Sequence, residues 1–86
     1  MDFKGTIGKW EYRYDRFEYC YDIVSDNEFI CTTISGNTKG KANALLISKS
    51  PILLQAIYDS IEPLKKAGLK EMADYHEKIY LESVNL

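Results

Sequence analysis

Aromatic and polar residues alternate in the first third of the chain. Eight of the eleven aromatic residues precede residue 30, and six of these eight form two runs with a period of two. Successive side chains of a β-strand face opposite sides of the sheet, so this period indicates strands with one aromatic face. The two runs are Trp10, Tyr12 and Tyr14, followed by Phe17, Tyr19 and Tyr21.

The turns between the strands decide which side chains share a face. A two-residue loop at Asp15 and Arg16 predicts the cross-strand pairs Tyr14–Phe17, Tyr12–Tyr19 and Trp10–Tyr21. An even-length turn at residues 25–28 keeps the alternation in the next strand. The side chains that this strand then adds to the aromatic face are Ile30, Thr32 and Ile34. The pattern predicts a three-stranded antiparallel β-meander over about residues 9–35.

The periodicity changes to that of helices after a polar segment. Residues 35–40 are predicted to form a flexible connection, because Gly and Asn tolerate positive φ. A short helix is then predicted from its apolar positions Ala42, Leu45 and Leu46. Ser50 is the predicted N-cap of a second helix, with Pro51 at its first position.

Two further residues divide the rest of the chain. Pro63 is expected to kink or end the second helix because it lacks an N–H, and Gly68 suits a C-terminal cap. A last helix follows, with an apolar stripe at three- and four-residue spacing. The stripe consists of Leu69, Met72, Ala73, His76, Ile79, Tyr80 and Val84. The prediction is one α+β domain over residues 1–86, with two to three helices (about residues 41–84) packed on the aromatic face of the meander.

Size and charge limit the classes of partner. A domain of 86 residues buries a modest share of its surface, so a homo-oligomer is expected. The net charge of −2 argues against general nucleic-acid binding. Tyrosines on the sheet could stack on bases, but packing under the helices is the favoured interpretation. Residues 29–58 contain no Asp or Glu and carry Lys39, Lys41 and Lys49, which makes this part of the chain locally positive.

Leader and membrane segments are not predicted. The first ten residues lack the apolar region of a secretory signal, and the longest apolar stretch, residues 42–57, is interrupted by polar residues. Cys20 and Cys31 have no CxxC partner and are expected to be reduced. The sequence therefore predicts a cytoplasmic protein with no membrane partner.

Catalytic and metal chemistry find little support in the sequence. The only histidine, His76, lies on the apolar stripe of the last helix, and a packed, hydrogen-bonded role is favoured over a catalytic or metal-binding one. A metal site needs several suitable ligands, and Cys20 and Cys31 provide only two. We therefore expect no enzyme activity, no metal and no cofactor.

An anion site is one of two interpretations of the segment GNTKGK, residues 36–41. A Gly-containing turn that enters a helix offers backbone N–H groups and the positive end of the helix dipole. The spacing is not that of a Walker motif, and Ala42 replaces its hydroxyl residue, so a solvated linker is favoured. Asn43 either caps the helix or contacts a ligand beside Lys39 and Lys41, and the sequence leaves both open.

Two segments of the chain resemble small phage-encoded proteins of unassigned function. These proteins combine an Ala-Asn-Ala helix, a small residue, a Pro and a Leu-rich helix, as in KANALLISKSPILLQAI over residues 41–57. They also open with a Gly-x-Trp strand segment, which corresponds to Gly8, Lys9 and Trp10. The resemblance implies a phage origin and a bacterial host cytoplasm. Their fold is similar to that of phage anti-defence sponges of the Thoeris anti-defence type, which bind cyclic nucleotide or cyclic ADP-ribose immune signals without catalysis.

The resemblance also implies a set of ligand-binding residues. On this basis an amide and cationic site is expected at Lys39, Lys41 and Asn43, and Arg13 and Arg16 are the available arginines for phosphate contact. Asn37 and Thr38 are added as predicted ligand-binding residues because they lie at the same seam between sheet and helices. One alternative is a protein-binding anti-host inhibitor, such as an anti-CRISPR, that uses the acidic residues of the first half of the chain. Another is a small phage accessory or structural protein.

Overall fold

A computed structural model describes residues 2–26, 28–33 and 37–85. Within these residues the elements are β1 (Glu11–Asp15), β2 (Cys20–Ser25), β3 (Glu28–Thr33), α1 (Thr38–Ser48), α2 (Ser50–Lys66) and α3 (Lys70–Val84). The strands form one antiparallel sheet in the order β1-β2-β3. The predicted α+β class and three-stranded meander are confirmed. Ile34, Ser35 and Gly36, on which part of the prediction fell, lie outside the described residues.

The first hairpin has a longer turn than predicted. Asp15 pairs with Cys20, so the turn comprises residues 16–19. The carboxylate Oδ1 of Asp15 accepts hydrogen bonds from the backbone N–H of Phe17, at 2.9 Å, and of Glu18, at 3.2 Å. Asp side chains commonly stabilise turns by accepting backbone hydrogen bonds in this way, and here a four-residue turn forms in place of the predicted two-residue loop. The longer turn shifts the register, so the predicted cross-strand pairs are wrong: Tyr14–Phe17, Tyr12–Tyr19 and Trp10–Tyr21.

The predicted aromatic face is present, but it contains fewer aromatic residues than predicted. Tyr14 pairs with Tyr21, so tyrosines of β1 and β2 still share a face. The ring centroid of Tyr21 lies 5.1 Å from that of Tyr14 and 5.9 Å from that of Tyr12. Phe17 and Tyr19 instead lie in the turn, where they are 81% and 70% exposed.

A bulge changes which side chains of β3 share the aromatic face. Val24 pairs with Phe29, but Ile23 pairs with Cys31, so Ile30 is skipped in the register. One extra residue inverts the alternation beyond it. Cys31 and Thr33 therefore lie on the face of Ile23. The predicted places of Ile30 and Thr32 on this face are wrong.

Helix α1 begins earlier than predicted because Asn37 caps it. Its side-chain Oδ1 accepts a hydrogen bond from the backbone N–H of Gly40, and its own backbone is extended, as usual for an N-cap. Residues 38–40, predicted as part of a flexible connection, are therefore helical. Asn43 lies in the second turn of α1 and does not cap it.

The sheet side of α1 is formed by small residues. The buried residues of α1 are Gly40, Ala44 and Ser48, at four-residue spacing, and α1 contacts all three strands. Small side chains at this spacing lie on one helix face and permit a close approach to the sheet. The predicted apolar stripe of Ala42, Leu45 and Leu46 is exposed, so its placement on the sheet is wrong.

The predicted break between the first two helices is confirmed. Lys49 is the C-cap of α1, and α2 starts at Ser50, one residue before the predicted start. The hydroxyl of Ser50 donates a hydrogen bond to the carbonyl of Leu46, at 3.3 Å, so it bonds to the preceding helix. The α1–α2 junction is thus a very short one.

The described residues divide into two compact units, one within residues 6–51 and the other made of residues 2–5 with 52–85. In the second unit, α2 continues through Pro63, so of the two expected effects, a kink or an end, the proline does not end the helix. Gly68, with φ of 77°, ends α2 as predicted. Its N–H donates to the carbonyl of Lys65, and the N–H of Leu69 donates to that of Leu64, which is a Schellman motif.

The core of the second unit is built from α2, α3 and the N-terminal segment. Its buried residues are Ile61, Tyr80 and Val84, and the apolar side chains packed on them are Phe3, Leu54 and Ile57. The hydroxyl oxygen of Tyr80 also accepts a 2.8 Å hydrogen bond from the backbone N–H of Asp2. None of the helices in the described part of the chain is long and apolar enough to cross a membrane.

Candidate ligand-binding groove

A groove of about 540 Å³, which we call the α1 groove, lies between the end of β3 and one face of α1. Its lining residues are Thr32, Thr33, Asn37, Lys39, Gly40, Asn43, Leu46 and Ile47. At 100° per residue, the five lining positions from α1 fall within an arc of about 120°, which places them on one side of the helix. The groove therefore combines hydroxyl, amide, ammonium and apolar groups.

The N-terminus of α1 gives the groove hydrogen-bond donors. The Asn37 side chain satisfies the N–H of Gly40, and its carbonyl accepts from the N–H of Lys41 at 3.0 Å. The N–H groups of the two residues between them, Thr38 and Lys39, have no carbonyl partner inside the helix by the geometry of an α-helix. They stand at the positive end of the helix dipole, and the first turn of α1 contains no acidic residue.

The charge of the groove is positive. Lys39 lines it, and no lining residue is an Asp or Glu. An anion in this groove would therefore meet an ammonium group and the helix dipole without a facing carboxylate. This local character differs from that of the whole chain, whose net charge is −2.

Three of the seven predicted ligand-binding residues meet in this groove: Asn37, Lys39 and Asn43. Lys41 is two residues before Asn43, which places it about 160° farther around α1 at 100° per residue. Thr38 likewise lies on another side of the helix. Neither residue lines the groove.

The two arginines lie elsewhere, at the first hairpin. Arg13 and Arg16 line a second groove, together with Asp15 and Asp22. The guanidinium carbon of Arg16 is 5.4 Å from the centroid of the Phe17 ring. Carboxylates beside both arginines balance their charge, so this hairpin groove is a poorer anion site than the α1 groove.

The hairpin also brings together three residues of types that bind metals. The side-chain ligand atoms of Asp15, Cys20 and Asp22 lie within 4.8 Å of one another. Sequence reasoning missed this group because it depends on the cross-strand pair Asp15–Cys20. Asp15 already accepts two backbone hydrogen bonds, and Arg13 and Arg16 line the adjoining groove. Turn formation accounts for the position of Asp15, and the neighbouring guanidinium groups oppose a divalent cation.

His76 is hydrogen-bonded, as predicted. Its Nδ1 lies 2.7 Å from the Oγ of Ser60, and this hydroxyl also donates to the carbonyl of Ile57 at 2.7 Å. A serine beside a histidine is the pair that activates a nucleophile in many enzymes. Here the Ser60 hydroxyl lies within hydrogen-bond distance of both the Ile57 carbonyl and the His76 ring, and the tautomer of His76 decides which of the two side chains donates to the other.

Lining residues from β3 were missed by sequence reasoning. Thr32 and Thr33 reach the groove through the β2–β3 register, in which Thr33 is opposite Tyr21.

Comparison with known proteins found no matching family model and no significant match among curated proteins or solved structures. The function is therefore inferred from the residues of the groove.

Proposed function

We propose that the α1 groove binds a small anionic ligand of the cyclic nucleotide or cyclic ADP-ribose class, and that the protein sequesters this ligand without transforming it. The observation that carries the proposal is the convergence of Asn37, Lys39 and Asn43 on one groove whose lining includes no carboxylate.

Each part of such a ligand has a matching group in the groove. A phosphate is matched by the Lys39 ammonium and by the helix dipole. The Asn43 amide offers both donors and an acceptor, which suits a base edge or a ribose hydroxyl. Leu46, which is 63% exposed, supplies apolar surface for the face of a base.

Binding without turnover follows from the kinds of residue in the groove. Its lining includes no His, Cys, Asp or Glu, so no imidazole, thiol or carboxylate lies there to activate Thr32, Thr33 or Lys39 for catalysis. A protein with this chemistry lowers the free concentration of its ligand. With the resemblance to small phage-encoded proteins, whose fold is similar to that of anti-defence sponges, this supports a role in removing a nucleotide immune signal from a bacterial effector.

A ligand panel tests the proposal. Calorimetric titration with cyclic di-AMP, cyclic tri-AMP and cyclic ADP-ribose is expected to give saturable binding to at least one of them, with the ligand recovered unchanged by mass spectrometry. Adenosine is the matched control, because it has the base and ribose but no phosphate. The proposal is contradicted if none of the phosphorylated compounds binds, or if the bound compound is recovered as a product.

A second candidate function is inhibition of a host protein, and the tip of the first hairpin favours it. Phe17 and Tyr19 are exposed there beside Arg16, and exposed aromatic and arginine side chains are typical of protein-binding hot spots. Under this alternative, a Phe17→Ala, Tyr19→Ala variant would lose capture of the host protein. The same variant would still bind nucleotides under the first proposal.

A further inference from the structure

Helix α3 has a second apolar stripe in addition to its buried face. Its buried residues are Ala73, Tyr80 and Val84. Met72, Tyr75 and Ile79 follow one another at three- and four-residue spacing, about 120° around the helix from the buried residues. Met72 is 51% exposed and Tyr75 is 63% exposed, and Ile79 is half-buried. This second stripe has the spacing of a coiled-coil contact.

Two opposite charges border this stripe on the same side. Glu71 precedes Met72 and Lys78 precedes Ile79, so both occupy the position before a stripe residue. They are seven residues apart, which is two helical turns, so they do not contact each other within α3. Both side chains belong to exposed residues.

We propose that α3 forms an antiparallel contact with α3 of a second copy of this chain, centred near Tyr75. In an antiparallel pair of helices, flanking positions of the same kind face each other across the contact. Glu71 of each copy then lies beside Lys78 of the other, which gives two symmetry-related ion pairs. In a parallel pair, each of these positions instead lies beside the residue five positions later in the other copy, so Glu71 would face His76 and Lys78 would face Ser83, and neither ion pair would form. The charges therefore select both a second copy as the occupant and the antiparallel orientation.

The apolar stripe is consistent with this orientation. A twofold axis near Tyr75 brings Met72 of each copy against Tyr75 of the other, and such an interface is self-complementary by symmetry. Methionine and tyrosine are both enriched in the centres of protein interfaces. The dimer covers apolar surface that a domain of 86 residues otherwise exposes to water.

Charge reversal provides the test, with sedimentation equilibrium as the measurement. The wild-type chain is expected to be a dimer. Glu71→Lys and Lys78→Glu, each alone, place like charges at both ends of the contact and are expected to weaken the dimer on the order of tenfold. The double variant Glu71→Lys, Lys78→Glu restores both opposite-charge pairs and is expected to return the dissociation constant to within about threefold of wild type.

The control is Glu18→Lys, which makes the same charge change in the first hairpin and leaves the dimer unchanged. Far-UV circular dichroism confirms that each variant keeps its helices. Tyr75→Glu, in the middle of the stripe, is expected to give a monomer. A monomeric wild-type chain, or single and double variants with equal dissociation constants, would overturn the proposal. These dimerisation results are independent of ligand binding in the α1 groove, because the residues of that groove all come from elements other than α3.

Discussion

The side-chain Oδ1 of Asn37 accepts a 2.9 Å hydrogen bond from the backbone N–H of Gly40, and this contact starts α1. The early start places Lys39 in the first turn and Asn43 in the second, four residues later on the same side of the helix. Asn37 therefore has two effects. It stabilises the helix end, and it positions the amide and ammonium groups of the groove.

Replacement of the cap is expected to lower stability. Asn37→Ala removes the acceptor for the Gly40 N–H and is expected to lower the free energy of unfolding by about 1 kcal/mol. Urea denaturation measures the change, and faster hydrogen exchange of the Gly40 amide locates it. Asn43→Ala is the control, because Asn43 has no capping role, and it should leave stability within about 0.5 kcal/mol of wild type.

Asn37→Asp separates stability from ligand binding. The carboxylate keeps a cap acceptor and interacts favourably with the helix dipole, so stability is expected to be at least that of wild type. It also adds a negative charge to the anion groove. Calorimetry is therefore expected to show weaker binding of cyclic ADP-ribose by a protein that is not destabilised, whereas unchanged binding would argue against an anion site here.

The close approach of α1 to the sheet predicts a size limit at Ala44. This residue is 0% exposed, and Ala44→Leu would force a larger side chain into filled space. The expected loss of stability is about 1–3 kcal/mol by thermal or urea unfolding. Ala42→Leu is the matched control in the same helix, because Ala42 is exposed, and it should be nearly neutral. Equal effects at the two positions would contradict the packing of α1 described above.

Ser25 is expected to be dispensable for stability. Its side-chain oxygen is buried and has no hydrogen-bond partner within the described residues. Ser25→Ala removes an unsatisfied polar group, so stability is expected to stay the same or to rise by about 1 kcal/mol. Ser60→Ala is the comparison, since it removes the hydrogen-bond partner of His76 and should cost about 1 kcal/mol. A clear loss of stability in Ser25→Ala would show that its hydroxyl has a partner after all.

The ion pair between Lys65 and Glu77 predicts a titration effect. The Lys65 Nζ is 3.2 Å from the Glu77 Oε2, and this hydrogen bond and the charge of Glu77 raise the pKa of Lys65 above its ordinary value of 10.5. A raised pKa in the folded state contributes stability that is present below pH 10.5 and is lost as the pH rises through the folded-state value. Glu77→Gln is expected to return the pKa of Lys65 towards 10.5 in an NMR titration. Glu82→Gln should not move it.

Periodicity was sufficient to predict the elements, but side-chain hydrogen bonds and a β-bulge decided their boundaries and register. The alternation of aromatic residues located β1 and β2, yet the Asp15 carboxylate extended the turn between them. The skipped Ile30 then inverted the face of β3. Asn37 similarly converted residues 38–40 from a predicted loop into a helical turn. A pattern of apolar and polar residues contains no information about these local contacts.

The same distinction explains how much of the groove was predictable. Lys39 and Asn43 come together because helix geometry brings residues four apart to one side, which sequence spacing can indicate. Thr32 and Thr33 depend on the strand register, and the predicted register was wrong. Arg13 was grouped with these residues by its chemistry, but the hairpin holds it beside Asp22.

The most direct test of the proposed function compares two lysines that differ in position and not in charge. Calorimetric titration with cyclic ADP-ribose and cyclic di-AMP is expected to show binding by wild type and a loss of affinity of tenfold or more, on the order of 1.5–3 kcal/mol, in Lys39→Ala. Lys41→Ala, which removes the same charge outside the groove, should stay within about twofold of wild type. Equal losses in the two variants, or no binding by the wild-type protein, would contradict a phosphate site in the α1 groove.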